Sequence, residues 1–119
     1  MNKREKGAQK EGQVCACLFS EGVKVVARNF RNRQGEIDII GYDGDYLVFF
    51  EVKYRSGRSM GTAAEAVGFA KQRNICRVAD YYRAIHHCPE DTPIRFDVVA
   101  IDGERVNWIK DAFGYIPRR

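Results

Sequence analysis

Residues Gly35 to Tyr54 read GEIDIIGYDGDYLVFFEVKY, two apolar runs separated by Asp43-Gly44. Asp-Gly between β-prone runs is a strong hairpin signal. The pattern predicts strands over Glu36–Tyr42 and Asp45–Tyr54. With Asp43-Gly44 as a two-residue loop, Ile40 opposes Leu47, Asp38 opposes Phe49 and Glu36 opposes Glu51. Opposed residues share a side, and each strand alternates sides. One face therefore carries Glu36, Asp38, Ile40, Leu47, Phe49, Glu51 and Lys53. The other carries Ile37, Ile39, Val48, Phe50, Val52 and Tyr54, all apolar or aromatic, and is expected to be buried.

The first face holds the chemistry. Asp38 and Glu51 are expected as diagonal neighbours, with α-carbons about 7–8 Å apart. Two carboxylate arms can close that gap onto one hard cation, at roughly 2.0–2.1 Å per oxygen for magnesium. Lys53 projects from the same side of the same strand, two residues past Glu51. Metal-assisted phosphodiester hydrolysis needs such a set: a Lewis acid, an activated water and positive charge against the developing negative charge. Glu36, expected across from Glu51, would repel it without a cation. The bland alternative is a solvated strand edge, and Glu-x-Lys alone is too common to mean anything. The combination of Asp38, Glu51 and Lys53 is far more specific than any member.

Outward from the hairpin, Lys6–Glu21 reads as a helix with Ala8, Glu11, Cys15 and Leu18 on one face, stopped by Gly22. Val23–Phe30 reads as a strand with basic outward positions. Ser56 to Gly61 is a loop. Thr62, with Glu65 three residues on, reads as a capping box opening a long helix to Ile85. Its inward stripe is Ala64, Val67, Lys71, Ile75, Val78, Tyr82 and Ile85. Ile94–Ile101 and Arg105–Lys110 complete the strands around an Asp102-Gly103 turn. The order α-β-β-β-α-β-β predicts an α/β fold, a mixed central sheet flanked by helices. Glu11, on an otherwise apolar stripe, is a third candidate acidic ligand if its helix packs beside the hairpin end. Lys71 interrupts the long helix's apolar stripe and is expected to approach the same site or a phosphate. Either residue can instead extend its charged end to solvent, and the two can pair with each other. Asp97 is more simply a structural partner near a strand end, and Trp108 a packing residue.

The chain has 119 residues, 45% of them hydrophobic and 30% charged, and a net charge of +4. That is enough for one domain with its own core, so a single domain over residues 1–119 is expected. The longest uninterrupted apolar run, Tyr46 to Phe50, is far short of a membrane span. The charged start, Met1 to Gly12, has no apolar stretch behind it, so no secretory signal is expected and the cytoplasm is the expected compartment. Cys15, Cys17, Cys76 and Cys88 form no CxxC pair and are expected as reduced thiols. His86, His87 and Cys88 lack a second ligand pair to complete a metal site. Residues 1–33 carry eight basic and three acidic side chains, whereas the remaining 86 carry twelve and thirteen. A basic end on a near-neutral body suits a polyanion such as nucleic acid, or is simply solvated surface.

Gly7-x-x-x-Glu11, Arg28-Asn29, Gly35-Glu36-Ile37-Asp38, Phe50-Glu51-Val52-Lys53-x-Arg55, Lys71 and Arg95-Phe96-Asp97 together resemble the YraN family. That is an uncharacterised bacterial family of predicted endonucleases, similar to archaeal Holliday junction resolvases. The resemblance covers about residues 4 to 115. It implies a restriction-endonuclease-like fold with an αβββαβ(β) core and a PD-(D/E)-x-K type of site. Asp38 and Glu51 would then be the metal-binding acids, Lys53 the catalytic lysine, and Glu11 the helix-one acid of resolvase-like members. The motif's proline is absent, Ile37 standing before Asp38, which leaves the ligands intact.

The expectation is a Mg2+- or Mn2+-dependent endonuclease acting on DNA, on branched or damaged DNA in the resolvase-like reading. Lys71 and the basic segment with Arg28, Arg31 and Arg33 would grip the backbone, and Arg55 and Arg58 would hold flanking phosphates. Such contacts are salt-dependent and indifferent to sequence. No organic cofactor and no membrane are expected. A resolvase needs two active sites and hence a homodimer, whereas a monomer suffices for nicking. The alternative is a nuclease-fold module that binds nucleic acid or a protein partner without cutting. An RNA-binding module is disfavoured, because the aromatics fall mostly on predicted core faces rather than on exposed stacking platforms.

Overall fold

A turn residue sets the register of the central hairpin. In the computed structural model, which describes residues 3–55 and 67–118 (side chains from 9 to 54 and from 67 to 118), Asp43 pairs with Tyr46. The loop is thus Gly44-Asp45 rather than Asp43-Gly44, with Gly44 at φ 61°. A two-residue hairpin loop needs positive φ at its first position, where glycine carries no steric penalty. That requirement moves the expected register by two residues. Ile40 pairs with Phe49 and Ile39 with Phe50.

An even slip keeps every side chain on its own face, whereas a slip of one would have exchanged them. Its effect is on partners. The pairing ends at Ile39–Phe50, so neither Asp38 nor Glu36 has a ladder partner on β3. The Glu36 carboxylate instead accepts a hydrogen bond from Arg31 at 2.9 Å. Glu36 still lines one cavity with Glu51, but its charge is paired with Arg31.

The elements are α1 (Lys3–Ser20), β1 (Lys24–Asn32), β2 (Gly35–Asp43), β3 (Tyr46–Arg55), α2 (Phe69–Ile85), β4 (Ile94–Asp102) and β5 (Arg105–Phe113). The strands form one sheet in the order β1-β2-β3-β4-β5. β3 and β4 run parallel, and the other neighbours are antiparallel. The expected α/β architecture is therefore observed, a mixed sheet flanked by two helices, consistent with a restriction-endonuclease-like core.

The helices cover opposite faces. Ile40, Leu47, Phe49, Phe96 and Val98 pack with Ile75, Val78, Ala79 and Tyr82 of α2. Ile39, Val48, Phe50, Val52, Val99 and Ile101 pack with Val14 and Leu18 of α1. Phe49, Phe50 and Phe96 are the largest fully buried side chains, and burying each contributes about 1.5–3 kcal/mol. All three lie on β3 and β4, the parallel pair at the sheet's centre.

Strict alternation fails at one place. Ala27 and Phe30 of β1 both contact the α2-side cluster, as do Ile37 and Ile40 of β2. Ile37 thus leaves the face expected for it. Between these residues lie Asn29, at φ 53°, and Asp38. A left-handed residue, which asparagine tolerates better than most, turns the strand and exchanges its faces there. β1 also bulges between Val25 and Ala27. Opposite that bulge a Cβ on Gly41 would lie 2.9 Å from the Lys24 carbonyl oxygen, so the close approach requires glycine.

The long helix is shorter than expected. Gly68 is extended, at φ −66° and ψ 161°, and α2 begins at Phe69. Glycine's weak helix propensity allows the break. Thr62, Ala64, Glu65 and the 56–61 loop lie outside the described residues. Ile75, Val78 and Tyr82 are buried as expected, but Ile85 is largely exposed. β5 extends past Lys110 to Phe113, whose ring stacks on Phe96 at 5.2 Å. The four cysteines are free. Among the described residues, no helix is long and apolar enough to cross a membrane.

Candidate active site at one end of the sheet

The start of β2, the end of β3 and the first turn of α2 meet in a cavity of about 290 Å³. It is lined by Gly35, Glu36, Asp38, Glu51, Lys71, Asn74 and Ile75. A larger cavity of about 550 Å³, lined by Cys15, Phe19, Val23, Val25 and neighbours, offers no carboxylate.

Glu51 is 4% exposed. Burying an unpaired carboxylate is prohibitive, so it must have counter-charges. It has two on the same oxygen: Lys71 Nζ lies 2.6 Å and Lys53 Nζ 3.5 Å from Oε2. Burial lowers the Lys71 pKa, but the hydrogen bond and charge of Glu51 outweigh it and hold it above the ordinary lysine value. Of two expected destinations of Lys71, the site itself or a pairing with Glu11, it takes the first. The fold gives it Glu51 rather than Glu11, because α1 lies on the opposite face.

Asp38 sits where the alternation breaks. Its Oδ2 accepts a hydrogen bond from the Val52 N–H at 2.8 Å, in place of the regular ladder. Burial, then the charge of Glu51, push its carboxyl up to about 7. The Val52 hydrogen bond opposes this shift without cancelling it. Three carboxylates thus crowd one cavity: Glu36 is paired with Arg31, Glu51 is neutralised by ammonium groups, and Asp38 holds its proton up to about pH 7. A hard divalent cation relieves that crowding, since magnesium takes one or two carboxylates and fills its remaining positions with water and phosphate oxygens. Asp38 and Glu51 fit that role.

Glu11 lies on the α1 side, 3.7 Å from Arg28 Nη2. Its charge reaches Asp38 and Tyr54. Among the described residues, no three His, Cys, Asp or Glu side chains are gathered as a ready metal cage. The His86 ring instead lies against Tyr82 at 4.2 Å. Arg31 and Arg33 are exposed at the β1–β2 turn. The Arg55 side chain and Arg58 lie outside the described residues.

Sequence reasoning missed Asn74, one turn beyond Lys71, and Tyr54, whose phenol is raised first by burial and then by Glu11 and Asp38. Spacing on α2 signals the first once the cavity is known. Most aromatics are buried or partly buried, as expected, although Phe19 and Phe69 are 78% and 64% exposed.

Asp97 is structural. It is fully buried and accepts hydrogen bonds from Arg95 Nε and Nη2, Trp108 Nε1 and the Asp111 N–H, all at 2.8–2.9 Å.

The five-stranded mixed sheet flanked by two helices is consistent with a restriction-endonuclease-like core. Residues 10–101 match the model of the uncharacterised protein family UPF0102. A UPF0102 protein of Lachnoclostridium phytofermentans is 45% identical over 113 residues, covering 95% of this chain and 96% of that one. A UPF0102 protein of Francisella tularensis subsp. novicida is 41% identical over 119 residues, covering 98% of this chain and 100% of that one. A Shewanella amazonensis relative is 40% identical, covering 90% and 97%. The chain belongs to UPF0102, the YraN family.

Proposed function

We propose that this chain is a divalent-metal-dependent endonuclease that hydrolyses phosphodiester bonds in DNA. The observation that carries the reading is the convergence of Asp38, Glu51, Lys53 and Lys71 at one end of the sheet. Asp38 and Glu51 would hold Mg2+ or Mn2+, with Glu11 adding negative charge from the α1 side. When bound, the cation supplies Lewis-acid charge at the scissile phosphate. Lys53, only 23% exposed on a central strand, is held rigidly enough to orient a water and to oppose the charge developing on phosphorus. Lys71 on the cavity wall and the exposed Arg31 and Arg33 at the β1–β2 turn would suit backbone phosphates; such contacts carry no sequence preference. Branched or damaged DNA is the substrate class in this reading, and a homodimer is needed only if two strands are cut together.

The test is a cleavage panel with Mn2+ on linear, supercoiled and four-way-junction DNA, run beside Asp38→Asn and Lys53→Ala proteins. Cleavage of at least one substrate by the wild type, absent in both variants, is the expected result. Three uncut substrates, or cuts by both variants at wild-type rate, overturn the reading.

One observation favours a second reading, a nucleic-acid-binding module that does not cut. Glu51 is already neutralised without any metal. Under that reading DNA binding is salt-dependent but indifferent to Mn2+.

A further inference from the structure

The two lysines that neutralise Glu51 are mounted differently. Lys53 stands inside a central strand with its side chain 23% exposed. Lys71 stands in the first turn of α2 with half of its side chain in solvent. The turn before it, at Gly68, has no side-chain cap. Lys71 nevertheless makes the shorter contact, 2.6 Å against 3.5 Å, on the same Oε2. A long, flexible, half-exposed side chain spends its rotamer freedom on such a contact only for a strong electrostatic return, and here that return is a buried carboxylate.

Resting on the metal-dependent reading above, we infer that Lys71 is a tethered counter-ion that occupies Glu51 until a backbone phosphate draws it away and opens that carboxylate to the metal. An ammonium at 2.6 Å from Oε2, with Lys53 already at 3.5 Å from the same atom, competes with a divalent cation there, because each added like charge within a few ångströms repels the others. Releasing Lys71 without a new partner strands a cation at the cavity mouth. A phosphate of the nucleic-acid backbone is the partner whose charge and position at that mouth suit it. Lys53, the less exposed of the two and the more distant from Oε2, is less suited to this part. The carboxylate is thus guarded while the protein is free, and DNA and metal binding assist each other. By linkage the assistance is equal in both directions. Asn74, one turn along α2 on the cavity wall, is placed to receive the displaced side chain or the phosphate.

The experiment measures Mn2+ binding to the whole chain by electron paramagnetic resonance of the free ion, for wild type, Lys71→Met, Lys71→Gln and Lys71→Arg. No turnover is needed. Lys71→Met and Lys71→Gln should bind Mn2+ about tenfold or more tightly than wild type, within the usual range of coupling between sites. Lys71→Arg, which keeps the charge, should stay weak. A phosphorothioate DNA duplex should tighten Mn2+ binding to wild type by a larger factor than to the Met and Gln variants. Two neutral variants guard against one failing to fold, which circular dichroism reports. If wild type and both neutral variants bind Mn2+ equally, or the neutral variants bind more weakly, the inference is overturned and the metal site stands. If none binds Mn2+ at millimolar concentration, the inference and the metal-dependent reading fall together.

Discussion

Two buried acidic centres lie on this sheet, and they are built in opposite ways. Around Asp97, every need of the carboxylate is met: four donors converge on it, and Arg95 also reaches Asp43 at 2.8 Å. Hydrogen bonds donated by Arg95 to Asp97 outweigh burial and hold the Arg95 guanidinium above its ordinary value. Around Asp38 and Glu51, acids crowd a cavity open to solvent, and the Asp38 carboxyl is pushed upward by burial and by its neighbour. A satisfied centre stabilises the fold. A crowded one is kept for something that arrives later, because perturbed groups in a cleft mark sites of chemistry more often than scaffolding.

The largest test of this contrast is kinetic. Lys53→Ala should lower DNA cleavage by about 10²–10³-fold or more, as loss of a group acting on developing charge does. Duplex binding in a gel-shift assay should change far less. Asp97→Ala should do the reverse. It leaves Arg95 and the Trp108 indole without their shared partner, and about 3–5 kcal/mol of stability should be lost in urea unfolding. An Asp97 variant with wild-type stability and no cleavage would exchange the roles given to the two centres.

A smaller effect has the opposite sign. Between about pH 4 and 7 the folded, metal-free protein keeps a proton on Asp38 that the unfolded chain has released. Stability from this group is therefore full below the unfolded value and is lost as pH rises through about 7. Asp38→Asn should raise the pH 8 stability of the metal-free protein by about 1–2 kcal/mol and flatten that slope. Asp43 behaves conversely. The Arg95 hydrogen bond holds its carboxyl below the ordinary value, so its contribution is present above that value and fades as acid is added. At this partly buried position Asp43→Asn should cost about 1 kcal/mol near pH 7, with the difference closing toward pH 3. The smallest effect belongs to the surface pair of Arg31 and Glu36. Arg31→Ala should change stability by about 0.2–1 kcal/mol, measured at low salt.

Much of this is legible in the chain itself. The Asp-Gly signal, two apolar runs and the position of Glu51 and Lys53 on one strand specify a hairpin with charge at one end. They do so because strand side chains alternate and turn chemistry is local. The two-residue slip follows from glycine's place in the loop, and it left Glu51 and Lys53 on the predicted face because the slip was even. The exchange of faces at Asn29 and Asp38 was not legible, since a single left-handed residue has no periodicity to announce it. Nor was the start of α2, where Gly68 interrupts a pattern that otherwise reads as continuous helix.

Sequence alone determined the strand and helix order, the hydrophobic faces and the residue types of the candidate site, all of which depend on neighbours a few positions apart. Tertiary structure alone decided which charge meets which. Lys71 reaches Glu51, twenty residues upstream, because α2 packs on that face of the sheet. Glu11 meets Arg28 because α1 packs on the other. Such pairings depend on how whole elements stack, and Coulomb attraction between long flexible side chains leaves no mark on the spacing of the chain.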